Sequence, residues 1–288
     1  MRFSNFGSRP NSRVAFVALC LFSAAGLQAC AGRPGPETLG TVALGDYQPK
    51  RVETLYTVTT RERAEAGENV FTSNKTREPN YASFNVSIPP DHVPANIEWP
   101  KPGRKVDPKT DFAVVDQSRL TRQTFLQSIG RPKAAPPLVF VHGYNYNFQE
   151  ALFRLAQLST DSNIDGTPVL FSWPSLASLP GYVADKEAAT YSRDALAGLL
   201  TDMVRARKGQ VDVFAHSMGG WLTAEALRQL RLEGKTDVLD RLRVIMAAPD
   251  IDRDVFTAQL DVIGRMRTPI TLLVAPDDRA LQVSSFLG

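Results

Sequence analysis

Five short, largely apolar runs in the second half of the chain restrict its fold more than any other feature. They are Leu138 to Val141 ("LVFV"), Val169 to Phe171, Val211 to Ala215, Val244 to Met246 and Ile270 to Val274. Each is too short for a buried helix and lacks a clean polar alternation, as expected of strands covered on both faces. Between them the apolar spacing becomes helical. Phe148, Leu152, Leu155 and Ala156 share one helix face, and Leu196, Leu199, Leu200, Met203 and Val204 share another. Trp221, Ala224, Leu227 and Leu230 mark a third helix, and Val255 to Ile263 a fourth. Asn147, with Glu150 three residues on, gives the first of these a capping-box start. Strands and helices in alternation build a parallel sheet with helices on both sides. The fold class read from the sequence is α/β, a doubly wound and mostly parallel sheet.

Upstream of this core (136–288) three further strands are expected, Val52 to Thr60, Ala82 to Ile88 and Phe112 to Val115. With the proline- and charge-rich loop 91–110 they make 51–135 the N-terminal part of a single domain, 51–288. Residues 30–50, studded with glycine and proline, read as a flexible tether. Residues 1–29 carry Arg2, Arg9 and Arg13 ahead of the apolar run Val14 to Leu27, the pattern of a signal peptide. The stretch Leu27-Gln28-Ala29-Cys30 resembles the lipobox of bacterial lipoproteins. That resemblance implies a lipidated Cys30 that anchors the chain to a membrane of the cell envelope, facing the periplasm. The alternative is a secreted, periplasmic protein cleaved by an ordinary signal.

These segments account for both cysteines, Cys20 and Cys30, so no disulfide is expected in the folded part. Removal of 1–29 takes three of the 33 basic residues and none of the 30 acidic ones, leaving 30 of each. A formally neutral mature chain gives no electrostatic case for nucleic acid. No H-E-x-x-H or paired Cys/His spacing and no glycine-rich phosphate loop occurs, so neither a metal nor a nucleotide cofactor is expected.

In an open parallel sheet, reactive groups gather at the carboxyl ends of the strands. Ala215-His216-Ser217-Met218-Gly219 follows one strand and opens a helix, a G-x-S-x-G pattern with alanine in first place. A serine on such a turn is thrust out as a nucleophile, and the small neighbours let the backbone fold sharply. The backbone N–H of Met218 is one candidate donor to a developing oxyanion; that of Tyr144, in the His142-Gly143-Tyr144 loop after "LVFV", is the other. A carboxylate at a strand end is needed to orient a base. Asp278, after "ITLLV", is the preferred candidate, and Asp250, after "VIMAAP", the alternative. The run Asp250 to Asp254 lacks the glycine and the bidentate glutamate of a calcium loop, so a helix cap there is the plainer expectation.

Taken together, "LVFVHGYNYNFQEALFRLAQL", "PVLFSWPS", "FAHSMGGWL", "AAPDID" and "APDDRAL" resemble a bacterial α/β-hydrolase family of unassigned physiological function, related in fold to lipases and esterases. The likeness extends from about Val52 to the end of the chain. It implies a serine esterase or lipase-like enzyme acting on a small-molecule ester or lipid, with Ser217 as nucleophile and Tyr144 and Met218 as oxyanion donors. In such folds the histidine follows the acid. Here His92, His142 and His216 all precede Ser217. The expectation is a sheet truncated before its last strand and a hydrolase impaired for want of its base. The alternative is a non-catalytic envelope lipoprotein that binds a lipid or a protein partner.

Overall fold

The computed structural model describes residues 33–101, 103–130 and 135–274. The expected signal peptide, Cys30 and Asp278 lie outside these residues. In chain order the elements are β1 (Arg51–Arg63), β2 (Phe71–Ile88), β3 (Ala113–Leu120), α1 (Arg122–Gly130), β4 (Leu138–Val141) and α2 (Phe148–Asp161). Then follow β5 (Pro168–Ser172), α3 (Tyr182–Tyr191), α4 (Arg193–Arg207), β6 (Val211–His216) and α5 (Met218–Leu232). The last are α6 (Thr236–Leu239), β7 (Leu242–Ala247), α7 (Arg253–Ile263) and β8 (Thr271–Leu273).

Eight strands form one sheet in the order β3-β2-β1-β5-β4-β6-β7-β8. Only β2 runs against its neighbours; every other pairing is parallel. The doubly wound, mostly parallel α/β architecture read from the sequence is the one found. Parallel register aligns Val141 with Ala215 across β4 and β6, so the two chain segments that leave these central strands emerge side by side.

Alternating side chains divide the core into two layers, because successive residues of a strand point to opposite faces. Val139, Val141, Val213, Ala215, Val244 and Met246 point to the side covered by α1 and α3 through α7. Phe140, Leu170 and Phe214 point the other way, where α2 is the only α-helix among the described residues. Eleven residues of α2 are buried, including Phe148, Leu152, Phe153 and Leu155. Its start is as expected: Asn147 accepts from the Glu150 N–H while the Glu150 carboxylate accepts from the Asn147 N–H.

Two differences from the sequence reading have clear causes. Strand β2 begins at Phe71 rather than Ala82, because 71–81 extends past the sheet as a hairpin ribbon with β1 whose polar residues face solvent. The stretch 33–50, expected to be a tether, lies against the domain. It carries a 3₁₀ turn (Pro36–Leu39) with Leu39 in the α2-side core, and the Val42 N–H donates to Val114 O at 2.8 Å. One buried leucine and a strand-edge hydrogen bond outweigh the low local propensity of the glycines and prolines. No helix among the described residues is long and apolar enough to cross a membrane.

Because α2 is the sole α-helix on its side among the described residues, its aromatic contacts with the 91–112 segment close that layer. Phe153 is fully buried, 5.1 Å from Trp99 and 6.3 Å from Phe112 between ring centroids. Phe153→Ala is expected to cost about 3–5 kcal/mol, read as a lower urea midpoint at unchanged m-value.

Candidate active site

Strand β6 ends at His216 and α5 begins at Met218, which leaves one residue to make the turn. Ser217 takes φ 52° and ψ −126°, a conformation that L-residues avoid and that costs of order 1–3 kcal/mol. The neighbouring strand end holds it there. The Ser217 N–H donates to Ala247 O at 3.0 Å, and Ser217 O accepts from the N–H groups of Gly220 (2.8 Å) and Asp250 (3.2 Å). The side chain is half-buried and reaches the surface at the carboxyl edge of the sheet.

The small residues around the serine answer to close backbone approach. A Cβ on Gly219 would sit 2.4 Å from Val141 O and 2.6 Å from His142 O. One on Gly220 would sit 2.8 Å from the Pro249 side chain. The first turn of α5 therefore runs directly against the exit of β4. Gly143 makes the reciprocal approach: a Cβ there would come within 3.0 Å of the Ser217 Cβ and of His216 Nδ1. This brings the loop 142–145 against Ser217, with Tyr144 next to the glycine that touches it. Asn145 adopts φ 63° to turn the loop back toward α2.

His142 is fully buried, its ring stacked 4.8 Å from that of Trp173. Nδ1 lies 2.9 Å from Gly143 O and Nε2 3.2 Å from Ser172 Oγ. A carbonyl can only accept, so Nδ1 carries the proton and Nε2 accepts from the serine hydroxyl. Burial, and then the positive charge of Arg61, hold the His142 pKa down to about 3, so the ring is neutral. His92 is committed elsewhere, with Nδ1 2.7 Å from Glu98 and Nε2 2.9 Å from Asp161. Asp161 closes the far end of α2, roughly 20 Å along the helix from the 142–145 loop.

Behind the loop lies a polar network that the sequence did not signal. Arg61, on β1, is 2 % exposed. Its guanidinium donates to Tyr146 O (2.9 Å), Ser175 O (3.1 Å), Thr72 O (3.3 Å) and Ser172 Oγ (3.1 Å). Burial lowers its pKa to about 10, against the raising effect of Asp185 and Glu150, and it stays charged at neutral pH. The carboxylate of Asp185, on α3 and fully buried, accepts from Ser175 Oγ (2.5 Å), the Leu176 N–H (2.7 Å) and the Asn145 N–H (3.3 Å). One proton path results: Arg61 Nε donates to Ser172 Oγ, that hydroxyl donates to His142 Nε2, and His142 Nδ1 donates to Gly143 O.

Above the serine, the Tyr144 ring meets that of Tyr182 edge-on at 5.4 Å, and its hydroxyl donates to Ser178 O at 3.1 Å and to Leu179 O. The Tyr182 hydroxyl donates to Asp250 Oδ2 at 2.9 Å, and burial with the Asp250 charge raises the Tyr182 pKa. Asp250 thus sits beside Ser217 through its own backbone while its carboxylate is engaged by a tyrosine. Asp252 takes the capping role, accepting from the Asp254 and Val255 N–H groups at the start of α7. Among the described residues, no group of three or more His, Cys, Asp and Glu side chains is placed to hold a metal ion.

Two outcomes follow from this geometry. Gly219→Ala forces a methyl into the β4 carbonyls and is expected to cost about 1–3 kcal/mol or more in a denaturant titration. For His142 the unfolded chain takes up a proton below 6.5, while the folded one resists until about 3. Stability therefore rises with pH across that window, by up to about 1.4 kcal/mol per pH unit from this one group. His142→Gln is expected to lose that part of the acid slope while keeping the slope above pH 6.5 unchanged.

No curated protein and no solved structure matches the chain. Residues 118–288, which hold β4 through β8, Ser217 and the loop 142–145, match a family described as "Alpha/beta hydrolase of unknown function (DUF900)". The chain belongs to that alpha/beta-hydrolase family.

Proposed function

We propose that the chain is a serine hydrolase acting on a carboxylic ester or related acyl substrate through an acyl-enzyme. The observation that supports this reading best is the strained Ser217, held at a strand-to-helix turn with Gly143 so near that a Cβ there would come within 3.0 Å of its own. Ser217 Oγ attacks the acyl carbon, and the new C–O bond forms as the carbonyl oxygen takes up negative charge. The backbone N–H of Met218, at the free N-terminal end of α5, and that of Tyr144 receive this charge. Collapse of the intermediate expels the alcohol, which leaves with the proton that the serine gave up. Water then releases the acid. Asp278 is the acid of first choice and Asp250 the alternative; Asp250 is the one engaged by Tyr182.

The serine's proton needs an acceptor. His142 is buried, neutral and doubly bonded, and His92 belongs to another end of the domain, so neither serves. Turnover on activated esters without a further base is accordingly expected to be slow, sustained by the oxyanion donors and binding. That commitment of two histidines also favours a second reading, a non-catalytic envelope protein that uses the same cleft for binding.

A fluorophosphonate probe separates the two. On the hydrolase reading the wild-type chain is labelled and Ser217→Ala is not. Equal labelling of both removes Ser217 from the mechanism, and no labelling of either favours the binding protein. The site of action is read as the cell envelope, with the membrane reached through Cys30.

A further inference from the structure

The first described residues do not wander away from the site; they are fastened to its mouth. The Arg33 guanidinium donates to Ala177 O at 2.5 Å and to Asn145 O and Oδ1 at 3.2 and 3.1 Å, and pairs with Glu150 at 3.3 Å. Pro34 O accepts from Asn147 Nδ2 at 2.9 Å and Gln149 Nε2 at 2.8 Å. Both are therefore held by the loop that presses on Ser217 and by the start of α2.

Ala177 lies within a second feature, an apolar rim. Leu176 is 46 % exposed, Leu179 73 % and Val183 64 %, three large apolar side chains close together in the chain and open to solvent. Leu179 belongs to the 3₁₀ turn Leu179–Gly181 and Val183 to the first turn of α3, so the two stand about one helical turn apart. Tyr144 donates to the carbonyls of Ser178 and Leu179, which sets this rim over the oxyanion loop. Water gains nothing from such a rim, and its place over the loop that packs on Ser217 calls for an apolar partner.

The clamp says which partner. Cys30 precedes Arg33 by three residues, a span of at most about 10 Å when fully extended. A lipid on Cys30 would hold Arg33, and with it Ala177 and the rim, at the membrane surface. The free length needed to swing the domain away is taken up by the contacts of Arg33 and Pro34.

From this we infer that the chain sits on the leaflet with its active-site mouth turned toward the membrane, the Leu176–Val183 rim seated in the interface, and that it draws a lipid ester from the bilayer. An apolar rim seated this way enters on the order of 5–10 Å into the headgroup boundary. The acyl carbon of the lipid then moves to Ser217 Oγ, the lipid alcohol leaves with the serine proton, and water frees the fatty acid. The substrate half of this inference rests on the serine-hydrolase reading, and the seating on the lipid anchor at Cys30.

The test uses the full chain recovered from the membrane fraction and reconstituted into phosphatidylethanolamine–phosphatidylglycerol vesicles with brominated acyl chains. Leu179→Trp places a fluorophore in the rim. Leu232→Trp places one at the far end of α5, exposed and roughly 20 Å along the helix from Ser217. Measured against the wild-type tryptophan signal, bromine quenching is expected to be at least about twofold stronger for the rim variant. Equal quenching of the two, or recovery of the chain only in the soluble fraction, overturns the seating. In a second arm, a long-chain alkyl fluorophosphonate embedded in the vesicles is expected to label the wild type about tenfold faster than a short-chain one in solution. No rate advantage overturns the lipid substrate. Labelling that survives Ser217→Ala overturns the hydrolase reading instead, while the quenching result stands by itself.

Discussion

A single buried guanidinium fixes the geometry on which the candidate site depends. Arg61 is almost wholly buried, and an unsatisfied charge in that position would cost several kcal/mol. Its four acceptors come from the β1–β2 hairpin, from β5 and the segment after it, and from the loop after β4. Asp185, on α3, supplies the countercharge and ties the same loops through separate bonds. Two strands, a helix and two loops therefore cannot move independently, because any shift strips a partner from a buried ion. Such a network specifies one arrangement more than it adds net stability.

That arrangement offsets strain elsewhere. Ser217 is held at positive φ only because β7 supplies a carbonyl on one side and α5 returns a hydrogen bond on the other. Glycine at 219 and 220 lets α5 pack closely enough to do so. The parallel register of β4 with β6 then delivers Gly143 to the serine without any further adjustment. His142 contributes as a neutral, two-bonded wedge behind this loop. Its imidazole is a positioning group and not a base.

Much of the fold and the serine itself were legible because their signals are local. Apolar runs of strand length, a capping box at Asn147 and small residues flanking Ser217 each reflect constraints imposed within a few residues. Arg61 and Asp185 were invisible for the opposite reason. The strand expected at Val52 to Thr60 stopped one residue short of Arg61, and only the hairpin that buries this arginine gives it a place. Residues 33–50 were misread in the same way, since glycine and proline content says nothing of a leucine that finds a core. The helices α1 and α3 escaped notice because each buries few apolar residues, too few for a period to emerge.

The sequence by itself determined the layered α/β architecture, the parallel strands of the core and the serine placed between one of them and its helix, since periodicity and turn chemistry act over short spans. Only the tertiary structure decided which charges are buried, which histidines are occupied and where the N-terminal segment is fastened. Those outcomes depend on desolvation and on hydrogen-bond partners that for Arg61 and Arg33 lie more than a hundred residues away, and no local pattern encodes a partner at that distance.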